Sequence, residues 1–427
     1  MSVAPSPLSF RDFRLYWVAR FTMIMAQNAM VIIIGWQVYD IARGTLGMSE
    51  RAAAFQLGLI GVAQFAPLLL LTLFSGWVAD RLDRRWVARA AIALDLACAL
   101  ALALMTASGH ITLPALFGIA VLLGVARAFA GPAMSPLAAN LVPPESLPRA
   151  IAMSSIAWQT GAIVGPALGG YLYATDAPAP YWASASLFAV ALIAMTLIRP
   201  VPRKALNADD GPWTQMIEGL RYTRKNRILL GAISLDLFAV LFGGATALLP
   251  VYARDILHTG PEGLGHLRAA PAVGAALTAL WFAWRPLERE VGVRMFLAVG
   301  LFGLATIVFG FSRVEWLSLA ALATLGAGDM ISVYVRSSLI QLHTPDAMRG
   351  RVSAVSLVFI SGSNELGEAQ SGVAAALIGP VAAVVTGGIG AILVTALWAK
   401  WFPELRNARS FAPPPALDDL QLRETPA

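Results

Sequence analysis

The chain has 427 residues, of which 58% are hydrophobic and only 13% are charged. Soluble globular domains run near 25% charged, so most of this chain cannot face water and an assembly of soluble domains is excluded. The net charge of +6 would suit a nucleic-acid partner, but the placement of the charges excludes that reading.

Apolar runs long enough to cross a hydrocarbon core of about 30 Å recur along the whole sequence. They predict helices at roughly 13–40, 53–78, 86–107, 115–142, 150–174, 180–199, 228–251, 265–285, 293–312, 316–342, 352–379 and 381–401. With both termini inside, Arg43, Arg51, Arg254, Arg268 and Arg313 fall outside, and Arg20, Arg127 and Arg336 fall within helices. The rest of the 31 Lys and Arg fall in cytoplasmic segments. This positive-inside bias sets the orientation: a multi-pass bacterial inner-membrane protein with both termini cytoplasmic. Arg11 and Arg14 precede a first run of full spanning length, so that helix is expected to stay in the mature protein. Cys98 is the single cysteine, so no intramolecular disulfide, metal cluster or cofactor is expected.

The longest polar stretch between helices, 200–227, carries Pro200, Pro202 and Pro212 and many basic residues, with a short helix expected around Trp213–Arg224. It divides the chain into a six-helix bundle at 1–199 and a second at 228–401, followed by a cytoplasmic tail at 402–427. The two parts also resemble each other. Leu141-Val142-Pro143-Pro144-Glu145 after the fourth run matches Leu342-His343-Thr344-Pro345-Asp346 after the tenth. Tyr39-Asp40-Ile41 matches Arg254-Asp255-Ile256. Such repeats place a substrate site at their interface near the midplane.

Between the second and third runs stands Gly76-Trp77-Val78-Ala79-Asp80-Arg81-Leu82-Asp83-Arg84-Arg85. The fifth run holds Gly161-Ala162-Ile163-Val164-Gly165-Pro166-Ala167-Leu168-Gly169-Gly170, whose glycines at every fourth position line one helix face and permit close packing. The first stretch resembles the signature loop of the major facilitator superfamily, with Asp83 where that pattern has Gly. The second resembles the glycine motif of its exporter (antiporter) branches. Arg127-Ala128-Phe129-Ala130-Gly131 is similar to an element whose arginine the family assigns to proton coupling. Ser234-Leu235-Asp236, Gly328-Asp329-Met330 and Thr344-Pro345-Asp346-Ala347-Met348-Arg349-Gly350 are similar to the enterobactin-exporter branch, a group of siderophore and drug exporters. The resemblance implies an all-α fold of twelve transmembrane helices in two bundles, with the signature loop (Gly76, Asp80, Arg81, Arg84, Arg85) gating and Gly161, Gly165, Pro166, Gly169 and Gly170 marking export.

Ionisable residues inside spans are costly and mark function by default. Here they are Arg20, Asp95, Arg127, Asp236, Asp329, Arg336, Glu365 and Glu368. The first, fourth, seventh and tenth helices line the cavity in the family fold, and each carries a charge. Asp236, Asp329, Glu365 or Glu368 is the expected proton-coupling acid, with arginines tuning it. Asp95 is expected to be structural. Gln27, Asn28, Gln37, Trp158, Gln159 and Asn364 are candidate substrate contacts.

The expected function is proton-coupled export of a siderophore or other small amphipathic molecule by alternating access. Multidrug efflux, siderophore uptake and a non-transporting receptor or scaffold are the rivals. No nucleotide loop and no nucleophile with a nearby base are recognisable, so neither an enzyme nor direct ATP drive is expected. Partners are the small-molecule substrate, protons and the bilayer, with a monomer expected.

Overall fold

The computed structural model describes residues 5–134, 137–200, 212–287 and 289–411. Among them stand twelve long helices: α1 (Arg11–Asp40), α2 (Glu50–Arg81), α3 (Arg84–Ala107), α4 (Leu113–Met134), α5 (Leu147–Thr175), α6 (Ala179–Thr196), α7 (Arg227–Phe242), α8 (Gly260–Trp284), α9 (Val291–Phe311), α10 (Glu315–His343), α11 (Asp346–Ile378) and α12 (Pro380–Trp401). A linker helix, Pro212–Lys225, precedes α7. No strand occurs among the described residues. Ten of the long helices are long and apolar enough to cross a membrane by length and composition; α5 and α11 are the two more polar ones. The chain is a multi-pass membrane protein.

Local chemistry ends these helices where they end. Ser49 caps α2 by accepting from the amide of Ala52 at 3.3 Å. Asn226 caps α7 by accepting from the amides of Ile228 and Leu229. Gly379, at φ 90°, turns the chain between α11 and α12, and Pro380 opens the latter. Both conformations suit those residue types. Asp83 needs no glycine-like backbone: its φ is −64°, and its carboxylate caps α3 at the amide of Arg85, 3.0 Å away.

Successive helices run in opposite directions. One face of the molecule therefore carries both described chain ends and is called the terminal face; the other, where α1, α3 and α5 end, is the far face. Within the first six helices, α1 packs on α5 and α6, and α4 packs on α2 and α3. Within the last six, α10 packs on α8 and α9, and α12 on α9 and α7. The two groups meet along α2–α11 and α5–α8, so the two polar helices are placed where they bury least against lipid. Those contacts are backbone-close. A Cβ on Gly58 would lie 2.9 Å from Gly372 Cα. One on Gly265 would lie 2.8 Å from the carbonyl oxygen of Pro166, and one on Gly170 would strike the backbone of Pro261.

α7 is broken at membrane depth. Helix ends at Phe242, and Gly243 and Gly244 lead into a single tight turn (Ala245–Leu248). After Leu249–Val251, a wider helical turn (Tyr252–Ile256) reaches the far face. A Cβ on Gly244 would lie 2.6 Å from both the carbonyl carbon of Gly367 and Ser371 Oγ on α11. Irregular backbone at this depth persists only when buried in protein or lining a cavity.

Candidate functional site

The charged residues inside the spans assemble into a ladder of pairs at successive depths. Deepest toward the terminal face, Asp236 on α7 forms an ion pair with Arg336 on α10; their side chains are 6% and 3% exposed. Asp329 and Ser332 of α10 share with Asp236 a small cavity closed by Phe302 of α9. The Ser332 hydroxyl is buried without a hydrogen-bond partner. An unpaired buried hydroxyl is costly, and a cavity about one water in size beside three polar groups suits a water that would satisfy it.

One level up, Arg127 on α4 reaches across to Glu365 on α11, with Nη1 3.4 Å from Oε1. Both stand roughly 20 Å along their helices from the far face, near the middle of the spans. This pair joins the two six-helix groups. Glu368, one turn on, pairs instead with Arg268 of α8 at 3.6 Å. Adjacent carboxylates on one helix face thus take cations from different groups, one from each.

The far face is closed by a second set. Tyr171 Oη and His266 Nε2 are hydrogen-bonded at 2.6 Å between α5 and α8, and His266 Nδ1 lies 3.4 Å from Glu315 on α10. Tyr39 Oη donates to Asp255 at 2.6 Å, and Arg43 Nε donates to the same oxygen at 3.0 Å. Arg254 Nη1 answers with Asp40 at 2.7 Å. Away from this face, near mid-span, Gln159 Nε2 on α5 donates a longer bond, 3.5 Å, to the carbonyl of Ala272 on α8.

The remaining predicted residues fall into distinct surroundings. Arg20 bonds the Tyr16 hydroxyl within α1. Asp95 is 1% exposed and accepts from Gln27 at 2.9 Å, so Gln27 is spent on α3. Asn28 donates to its own helix at the Ile24 carbonyl. Gln37 is buried between helices, donating to Thr106 at 3.2 Å and accepting from Tyr181 at 2.7 Å. Trp158 is 53% exposed, and Asn364 is exposed beside Glu365. In the predicted signature loop, Arg85 pairs with Asp83 at 2.5 Å and donates to the Ile198 carbonyl, tying α3 to α6. Arg81 and Arg84 both engage partners. The surroundings of Gly76 and the side chain of Asp80 lie outside what the structure describes.

The glycine motif of α5 serves two partners. Gly161, Gly165 and Gly169 press on α1 at Ile24, Met25 and Ala29, with a Cβ on Gly165 only 2.6 Å from the Met25 carbonyl. Gly170 faces α8, where its Cβ would lie 3.1 Å from Gly265.

Arg268, Tyr171, His266 and the Asp40–Arg43–Arg254–Asp255 group were not expected as site residues. Arg268 counts as an outside charge in the sequence, whereas α8 begins at Gly260 and carries both His266 and Arg268 within the helix. The matched Asp-Ile steps after the first and seventh runs were the signal for the far-face pairs.

The sequence profile described as Major Facilitator Superfamily matches residues 16–367. The enterobactin exporter EntS of Citrobacter koseri is 28% identical over 421 residues, covering 96% of each chain. That of Escherichia coli K12 is 26% identical over 419 residues, covering 94% of each. Among solved structures, a bacterial homologue of the human lysosomal transporter Spinster, inward-facing and occupied, superposes with a TM-score of 0.72 at 14% identity, covering 95% of this chain and 99% of that one. The inward-open xylose transporter XylE from Escherichia coli superposes with a TM-score of 0.67 at 15% identity, covering 96% and 99%.

Proposed function

Because the chain belongs to the major facilitator superfamily, we propose that this secondary transporter exports a siderophore or chemically similar amphipathic molecule in exchange for protons. The bundles at 1–199 and 228–401 rock about their shared helices. The far face is periplasmic in this reading, and both termini are cytoplasmic in the inner membrane, as the distribution of Lys and Arg supports. The substrate class is taken from the relatives named as enterobactin exporters. The glycine motif of α5 supports the same direction.

One observation carries the mechanism: Arg127 and Glu365 pair across the two groups near the middle of the membrane. A charge pair there is costly unless it is used, and it must part or re-form whenever the groups rotate. While paired, Arg127 offsets the charge of Glu365. Parted from Arg127, it lacks its nearest cation and takes up a proton more readily. Protonation thus accompanies one orientation of the transporter and release accompanies the other. Asp236 and Asp329, next to Arg336, form a second place where a proton can reside. Exposed Trp158 and Asn364 flank this level and offer the aromatic and amide contacts that an amphipathic cargo needs.

The test is substrate accumulation in inverted membrane vesicles under an imposed pH gradient. The native chain is compared with Glu365→Gln, Asp236→Asn and Asp329→Asn using enterobactin and lipophilic cations. Accumulation of enterobactin that collapses with the gradient and with one acid-to-amide change supports the reading. Accumulation unaffected by the gradient refutes proton exchange, and movement of lipophilic cations alone favours the drug-efflux alternative.

A further inference from the structure

The second six-helix group carries a groove of about 640 Å³ between α8 and α9, with α10 as its floor. It opens on the flank that the bilayer covers. Leu277 and Trp281 of α8 form one wall and Leu297 and Leu301 of α9 the other; Leu277, Trp281 and Leu297 are more than half exposed. The floor is shallow because α8 and α10 touch through small residues: a Cβ on Gly274 would lie 2.6 Å from the Ala323 carbonyl carbon.

The polar groups in the lining ask for nothing. Thr278 donates to the Gly274 carbonyl at 3.0 Å and Thr324 to that of Ala320 at 2.8 Å, each within its own helix. What remains is alkyl and aromatic surface about 10 Å long, counted from Arg294 to Leu301 along α9. At the terminal-face end stands Arg294, one turn into α9 and also part of the lining. No carboxylate pairs with it among the described residues, although Glu290 lies one turn before it. Close by, the Arg285 guanidinium stacks on the Trp281 ring at 5.6 Å. A cation at headgroup depth above an apolar trough complements a phosphate above an alkyl chain.

We propose that this groove binds one anionic phospholipid from the terminal-face leaflet, with an acyl chain lying along α10 and its phosphate on Arg294. The site is on the lipid-covered flank, apart from the charge ladder, and is independent of what the transporter carries.

Native mass spectrometry of the full-length protein, incubated with equal amounts of phosphatidylglycerol and phosphatidylethanolamine, tests it. Wild type is expected to retain phosphatidylglycerol about fivefold over phosphatidylethanolamine. Arg294→Gln brings that ratio near one. Thr324→Trp, which fills the floor, removes bound lipid altogether, whereas Leu393→Trp, at an exposed position on α12, changes nothing. Should Thr324→Trp fold poorly, a photoreactive phosphatidylglycerol must crosslink to Leu297 or Leu301 in the wild type, and less so in Arg294→Gln. No headgroup preference in the wild type, or an unchanged ratio in Arg294→Gln, or crosslinks that miss both leucines, overturns the proposal.

Discussion

Asp40 and Arg254 stand 2.7 Å apart across the two six-helix groups, and Asp255 returns the exchange to Arg43 at 3.0 Å. Each group thus contributes one acid and one base to its partner. Such reciprocal pairing closes the far face without leaving an excess charge on either side when it parts. All four side chains are part-exposed, so each pair contributes about 0.5–1 kcal/mol.

Asp255→Asn weakens the bonds from both Tyr39 and Arg43 and should raise the far-face-open population about two- to fivefold, in keeping with one such pair. Spin labels at Met48 and Thr259, in a Cys98→Ala background, would report the widened distance. Asp40→Arg alone should open the far face similarly, and adding Arg254→Asp should restore the wild-type distribution. If the swap leaves the far face open, the pair is incidental to closure.

Arg336→Leu strands Asp236 in a site that is almost fully enclosed. The expected cost is about 3–5 kcal/mol, seen as a lowered midpoint of thermal unfolding in detergent. Removing both members, Asp236→Leu with Arg336→Leu, should recover most of that loss while gradient-driven transport stays abolished. Recovery of transport in the double variant would show that the pair serves stability alone.

Gly165→Ala places a methyl group 2.6 Å from the Met25 carbonyl and should destabilise the protein by about 1–3 kcal/mol as α5 is pushed off α1. Gly118→Ala in α4, where nothing lies within 4 Å, should be neutral. Equal unfolding midpoints for the two variants would contradict the close packing of α5 on α1.

Gln37→Leu leaves the Tyr181 hydroxyl buried without its acceptor, at an expected cost of about 1–3 kcal/mol. Because Gln37 faces α3 and α6, the protein that folds should keep the wild-type KM in vesicle uptake. A raised KM with an unchanged melting temperature would place Gln37 at the substrate after all.

The helices were legible because twelve apolar runs need twelve crossings, and their polar exceptions could be named from the sequence alone. Partnership was not. Asp329 and Arg336 share one face of α10 two turns apart, and the sequence does not show that Arg336 reaches Asp236 on a different helix. Glu365 and Glu368 were legible as neighbours, but nothing in the sequence says that Arg127 and Arg268 come from opposite groups to hold them. Helix-end residues misled for a related reason. Arg43, Arg254 and Arg268 count as topology charges when read along the chain, and their acidic partners become visible only once α1, α7, α8 and α11 are brought together.

The break at Gly243 and Gly244 makes α7 a lever with two separately anchored arms. The arm Arg227–Phe242 is held to α10 through Asp236 and Arg336, while the arm beyond it carries Tyr252, Arg254 and Asp255 to the far-face closure. Because the run of α-helical backbone is interrupted between them, a tilt of the outer arm need not pull on the inner charge pair. The far-face closure and the inner charge pair are therefore anchored by separate segments of one interrupted helix.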